Sequence, residues 1–167
     1  MRARFRKRGA EGDEAFEIDL RIRFGRQIRF GGLRRHGEAG ERKRRDHERL
    51  RRGVSAVFEQ PGRGFYLVAE VDGTAVGGLL VTYEWSDWRC GDFWWIQSVY
   101  VVPAARRSGV FRALHAAVAE RARDAGAVGL RLYVETENAR AQATYEGLGM
   151  QRCHYFMYEA SLVEPAT

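Results

Sequence analysis

Phe16, Ile18, Leu20, Ile22 and Phe24 alternate with charged residues over nine positions, the period of a strand that buries one face. Gly25, Gly31 and Gly32 break that run. From Glu41 to Gln60 the period changes: Leu50, Val54, Val57 and Phe58 share one stripe, which predicts a helix stopped by Pro61-Gly62. The next stretch, GFYLVAEVDGTAVGGLLVTYEW, sets two apolar runs on either side of Asp72-Gly73 and predicts a hairpin. SDWRCGD makes the following connection, and Phe93 to Val102 reads as another strand, ended by Pro103. Val110, Phe111, Leu114, Val118 and Ala122 then fall at helical spacing, giving a helix from about Gly109 to Ala125 with Gly126 as its C-terminal glycine. Val128, Leu130, Leu132 and Val134 alternate as a strand, and Asn138 is placed to cap a helix that runs to about Gly147. The aromatics between Met150 and Leu162 predict a final strand, after which Pro165 closes the chain. No internal repeat is visible.

The segment IQSVYVVPAARRSGVFRAL, Ile96 to Leu114, therefore passes from strand through Ala104–Ser108 into a helix start. The first turn of a helix has N–H groups without intrahelical partners and a partial positive charge, so a loop entering it tightly suits phosphates. Arg106 and Arg107 add cationic forks, and Gly109 allows the backbone a close approach. By spacing alone, Gly109 reads as a turn residue and the arginines as a solvated rim just as well.

Length and composition narrow the picture. A chain of 167 residues has room for one domain with a real core, and 45% hydrophobic residues with 12% aromatics exclude a mainly disordered protein. No apolar run reaches the roughly 20 residues of a membrane span, and the Arg-rich N-terminus lacks a secretory apolar region, so a cytoplasmic protein is expected. Cys90 and Cys153 form no C-x-x-C pair; each is expected to be a reduced core or strand cysteine. His36, His47, His115 and His154 have no metal-ligand spacing, and no metal is expected. The formal charge of +6 is uneven: residues 1–52 hold 18 Lys or Arg against 9 Asp or Glu, and the remainder holds 10 against 13. The first eight residues, with no apolar period, read as part of a disordered basic tail over 1–14, ahead of one domain over 15–167.

Arg106-Arg107-Ser108-Gly109-Val110-Phe111 resembles the (Gln/Arg)-x-x-Gly-x-(Gly/Ala) pyrophosphate loop of the GCN5-related N-acetyltransferases, and Val99-Tyr100-Val101-Val102-Pro103 resembles the strand before it. LRLYVETENARAQATYEGLGM, Leu130 to Met150, is similar to the family's later strand and its Asn-x-x-Ala-x-x-x-Tyr helix. The resemblance holds over about residues 53–160. It implies a single α+β domain, with a mixed, mostly antiparallel central sheet flanked by helices, and acetyl-CoA as co-substrate. It further implies that backbone groups of Val99 and Val101 bond the pantetheine arm, that Arg106, Arg107, Ser108, Gly109, Val110, Phe111 and Arg112 receive the pyrophosphate, that Asn138 contacts the coenzyme near the thioester, and that Tyr145 is the general acid. Plain alternatives are a helix cap for Asn138 and a core tyrosine for Tyr145.

Two departures stand out. Phe111 occupies a position where the family has Gly or Ala, so its ring must point away from the phosphates. Gln97 stands at a strand position often held by Glu, and an amide cannot take a proton. An amine with a lysine-like pKa near 10.4 must be deprotonated before it attacks. Glu84 is the replacement candidate for the base, with Glu135 behind it and an ordered water as another route; as rim charges, neither carboxylate would act. Of Tyr83, Trp85, Trp88, Trp94 and Trp95, alternation sends Trp94 and Trp95 to opposite faces, one into the core and the other, with Trp85 or Trp88, beside an acceptor.

The function implied is acetyl transfer to a primary amine, small-molecule or peptide, by direct attack; a homodimer is compatible with it. Two rivals are a nucleic-acid-binding module using the basic first third and a fold relative that senses the coenzyme without catalysis. The basic residues are not interleaved with aromatics, and no nucleotide-reading or serine-hydrolase motif is present.

Overall fold

The described strands build a six-stranded sheet whose order in space follows the order in sequence: β1 (Arg2–Arg8), β2 (Ala15–Phe24), β3 (Phe65–Val71), β4 (Thr74–Ser86), β5 (Gly91–Val101) and β6 (Gly129–Leu132). The computed structural model describes residues 2–8, 15–24 and 40–162, with side chains from 47 to 162. Neighbours run antiparallel from β1 to β5, and β6 runs parallel to β5 because a helix intervenes. The helices are α1 (Gly40–Glu59), α2 (Val110–Asp124) and α3 (Ala139–Glu146). The chain divides into two compact units, Met1–Tyr133 and Val134–Thr167.

In the first unit the alternation does what it predicts. Leu67, Ala69, Leu79, Val81, Trp94 and Ile96 come from three adjacent strands and pack with Val110, Ala113, Leu114, Val118 and Ala122 of α2. Burying one Leu or Val side chain stabilises by roughly 1.5–3 kcal/mol, so this layer holds α2 against the sheet. Phe58 of α1 meets Tyr66, with ring centroids 5.4 Å apart. The β3–β4 turn has positive φ at both Asp72 (50°) and Gly73 (76°), as a two-residue hairpin demands. Gly77 explains how α2 comes so near β4: a Cβ there would lie 2.9 Å from a methyl of Val110 and 3.1 Å from the Tyr100 carbonyl. Gly126 (φ 73°) follows α2 as the C-terminal glycine.

Three expectations need correction. Arg2–Arg8, expected to be disordered, is strand β1, paired with β2 from Arg2↔Arg21 to Arg8↔Ala15; main-chain bonds to a neighbouring strand need no apolar period. The final strand expected within Met150–Leu162 does not form, and Tyr155, Phe156, Met157, Tyr158 and Leu162 are exposed. Aromatic content favours a strand only where an edge is there to pair with. Cys90 and Cys153 are both exposed and unpaired; Cys90 lies in the tight β4–β5 turn with φ 48°. The break at Gly25, Gly31 and Gly32, His36 and Pro165 lie outside the described residues.

In the second unit, Asn138 caps α3 as its position predicts: its side-chain oxygen accepts the Ala141 N–H at 3.1 Å. Gly149 (φ 84°) follows the helix, and the Met150 N–H donates to the Tyr145 carbonyl at 3.1 Å.

Candidate active site

Strand β5 changes partners along its length. Its pairing with β6 runs from Phe93↔Gly129 to Ile96↔Leu132 and goes no further, although β5 continues to Val101. Its register with β4 slips at the same place: Gly78 faces Tyr100 but Leu80 faces Gln97, so β5 holds one extra residue there. Ser98, with φ 49°, is within that bulge. A bulge bends its strand and increases the local twist, and here it accompanies the parting of β5 from β6. Val99 is 38% exposed beside the parting, while Val101 packs on the core.

The chain leaves β5 through a 3-10 turn, Pro103–Ala105, and enters α2 at Gly109. Arg107 (φ 64°) and Gly109 (φ 86°) both take left-handed conformations, of the kind found in turns that direct N–H groups to one side. The Ser108 hydroxyl donates to the Ala105 carbonyl at 2.6 Å and draws the turn closed. Val110, Phe111 and Arg112 are the first three helical residues, whose N–H groups have no partner within the helix. Acidic side chains are absent from this first turn, so its partial positive charge is undiminished.

The cationic side chains divide their tasks. Arg106 donates from Nε to the Val101 carbonyl at 3.1 Å, tying the loop to the end of β5. Arg107 and Arg112 are exposed. The Phe111 ring is half-buried and lies 6.3 Å from the His115 ring one turn further on. Burial lowers the His115 pKa and keeps the imidazole neutral, and its Nε2 has no hydrogen-bond partner.

On the sheet face opposite α2, Gln97 donates from Nε2 to the Thr82 hydroxyl at 2.6 Å. Glu84, expected as an available base, is paired: Oε1 meets Arg131 at 2.7 Å and Oε2 accepts the Trp95 indole N–H. Trp94 and Trp95 do face opposite sides. Trp94 is buried edge-on to Phe65 at 5.3 Å, and Trp95 lies 4.6 Å from Tyr133. Trp85 and Trp88 are 62% and 94% exposed.

In the second unit, Tyr145 is half-buried on α3, two turns from Asn138, and burial raises its phenol pKa. Glu135 is exposed, and its carbonyl accepts from the Gln142 side chain at 3.1 Å. Among the described residues no group of His, Cys, Asp and Glu is arranged to hold a metal ion, and no helix is long and apolar enough to cross a membrane. Ser98, Gly77 and Arg131 are parts of this arrangement that sequence reasoning missed. Only Gly77-Gly78 carried a signal, since glycine inside a strand marks a bulge or a close approach.

The acetyltransferase (GNAT) family model matches residues 33–150. A solved structure described as a possible acetyltransferase from Clostridium difficile 630 is 45% identical, with 70% of this chain and 78% of that one covered at a TM-score of 0.65. The fold is also that of glucosamine-6-phosphate N-acetyltransferase from Arabidopsis thaliana, 19% identical, covering 84% and 97% at a TM-score of 0.62. AAC(6')-Iy in complex with the bisubstrate analog CoA-S-monomethyl-acetylneamine is 17% identical, covering 86% and 99% at a TM-score of 0.63. None of the curated proteins compared with the chain matches it.

Proposed function

Because the chain belongs to the acetyltransferase (GNAT) family, whose members take their acetyl group from acetyl-CoA, we propose that it transfers that group to a primary amine by direct attack on the thioester. The observation that carries this reading is the parting of β5 from β6 next to the first turn of α2. An extended arm with a phosphate end fits that combination: main-chain groups for the arm, N–H groups and arginines for the phosphates. In this reading the backbone at Val99 and Val101 bonds the arm, and the turn from Arg107 to Arg112 takes the pyrophosphate, with Arg106 bracing it through the Val101 carbonyl. Asn138 spends its side-chain oxygen on the cap and offers the coenzyme its amide N–H groups. Tyr145 supplies the proton to the departing thiolate. One fold neighbour was solved with coenzyme A joined to an amine, in keeping with an amine acceptor here.

A positioned amine attacks without a covalent enzyme intermediate, because holding it beside the thioester removes most of the entropic barrier. The two unpaired cysteines suit a reducing compartment, and the reading places the enzyme in the cytoplasm. The test is release of free thiol from acetyl-CoA across a panel of primary amines. Amine-dependent release is expected; coenzyme binding with no such release from any amine would replace this reading with that of a sensor.

Strand β1 lies at the edge of the sheet, with β2, β3 and β4 between it and β5. Removing residues 1–8 is therefore expected to leave the dissociation constant for acetyl-CoA unchanged by calorimetry. A large loss would give the basic segment a part in coenzyme binding.

A further inference from the structure

The last residue pairs before β5 and β6 separate are Trp95↔Arg131 and Ile96↔Leu132. Ile96 is in the core beneath α2, so alternation puts Trp95 and Arg131 on the other face. There the Arg131 guanidinium meets Glu84 Oε1 at 2.7 Å and lies 3.7 Å over the Phe93 ring. Glu84 holds the Trp95 indole with its second oxygen, and the Trp95 ring leans on Tyr133, 4.6 Å away and tilted by 36°. These side chains form one connected group at the vertex of the parting. They are not sealed away: Arg131 and Glu84 are 37% and 41% exposed and Tyr133 is 57% exposed.

The polarity of the site says what this group meets. The phosphate-binding turn follows the C-terminal end of β5, so an arm laid along β5 from that turn runs back toward Ser98 and the vertex. Its thioester end is the end nearest Trp95 and Arg131. Glu84 has one donor on each oxygen and a guanidinium balancing its charge. Taking a proton from an ammonium would remove the negative charge that holds the guanidinium and weaken both bonds.

We propose that Arg131, Glu84 and Trp95 act as a positioning unit at the acetyl end of the cleft, in which Glu84 is a clamp for the indole and not the proton acceptor. The Trp95 and Tyr133 rings form a wall for the non-reacting part of the acceptor, which is accordingly an amine carried on an aromatic or apolar group. The acceptor ammonium gives one proton to water, the amine nitrogen bonds the acetyl carbon, the C–S bond breaks to release the thiolate, and the second proton leaves the nitrogen for water as the amide forms. This rests on the acetyl-transfer reading.

The experiment compares wild type, Glu84→Gln, Arg131→Met and Trp95→Ala with 2-phenylethylamine and propylamine as probe amines, measuring kcat, KM and the pH profile of kcat/KM. Wild type is expected to favour 2-phenylethylamine by about tenfold or more, the discrimination that one apolar contact provides. Glu84→Gln and Arg131→Met should raise the KM for that amine by similar factors while kcat and the acidic limb of the profile stay in place. Trp95→Ala should erase the preference. A fall in kcat of about 10²-fold or more in Glu84→Gln with loss of the acidic limb would make Glu84 the base and overturn the proposal. So would an unchanged amine KM in the Glu84 and Arg131 variants. Acetyl-CoA binding by wild type without acetylation of any primary amine would remove the acetyl-transfer reading itself, an outcome seen before any variant is compared.

Discussion

Tyr145→Phe is expected to lower kcat by about 10²–10⁴-fold, the range for a positioned general acid, with the affinity for acetyl-CoA nearly unchanged. The substitution keeps the ring and removes one hydroxyl. Burial raises the phenol pKa above its ordinary value near 10, so the group is fully protonated at neutral pH. The leaving thiol, by analogy with cysteine, has a pKa near 8.5. Complete transfer is therefore uphill, by about 2 kcal/mol even before burial acts on the phenol. In the proposed role the hydroxyl would therefore act first as a hydrogen-bond donor to charge that develops on sulfur as the C–S bond breaks, and give up its proton as the thiol leaves. Seven residues, about two helical turns, separate Tyr145 from Asn138 on α3, so both side chains project from the same side of one short helix. With chemistry shown to limit the rate on a good acceptor, a drop below tenfold would leave Tyr145 a structural residue.

Gly109→Glu should weaken acetyl-CoA binding by about 100-fold or more, the loss of one or two charge-assisted hydrogen bonds at roughly 1.5–3 kcal/mol each. Two causes combine. Gly109 has φ 86°, where an L side chain costs on the order of 1–3 kcal/mol, and a carboxylate beside the first turn of α2 would occupy the positive end that the phosphates need. Gly109→Gln carries the same bulk and backbone strain without the charge, so the gap between the two variants in calorimetry isolates the electrostatic part. Circular dichroism would verify that α2 persists. Unchanged affinity in Gly109→Glu would move the pyrophosphate elsewhere.

Where a local rule decides an element, the sequence announces it. Asp72-Gly73 fixes the hairpin because few other residues accept its backbone, and Asn138 fixes the start of α3 because its oxygen reaches an N–H three residues on. The turn into α2, proposed here for the phosphates, is legible for a similar reason: its residues are neighbours in the chain. The pairing of Glu84 with Arg131 is not, since 47 residues separate them and only the β5–β6 register brings them together. The bulge at Ser98 escapes notice because nothing in a run of Gln, Ser, Val and Tyr marks the extra residue. Residues 150–162 misled because an apolar, aromatic run reads as a strand whether or not a partner edge exists, and β1 misled in the opposite direction.

Among the described residues, β5 from Ser98 to Val101 has a strand neighbour on its β4 side only. In the proposed reading the amide-bearing arm of acetyl-CoA takes the other side, and the coenzyme would do for this stretch what a strand does elsewhere in the sheet. A ligand held only by the folded state adds RT ln(1 + [L]/Kd), about 2.7 kcal/mol at a hundredfold excess, against a net stability of about 5–15 kcal/mol for a typical domain. The lifetime of the protein in a cell should then follow its supply of acetyl-CoA. On that reading, when the coenzyme is scarce more of the chain would be open to proteases at any moment, and the amount of enzyme would be expected to fall along with its substrate.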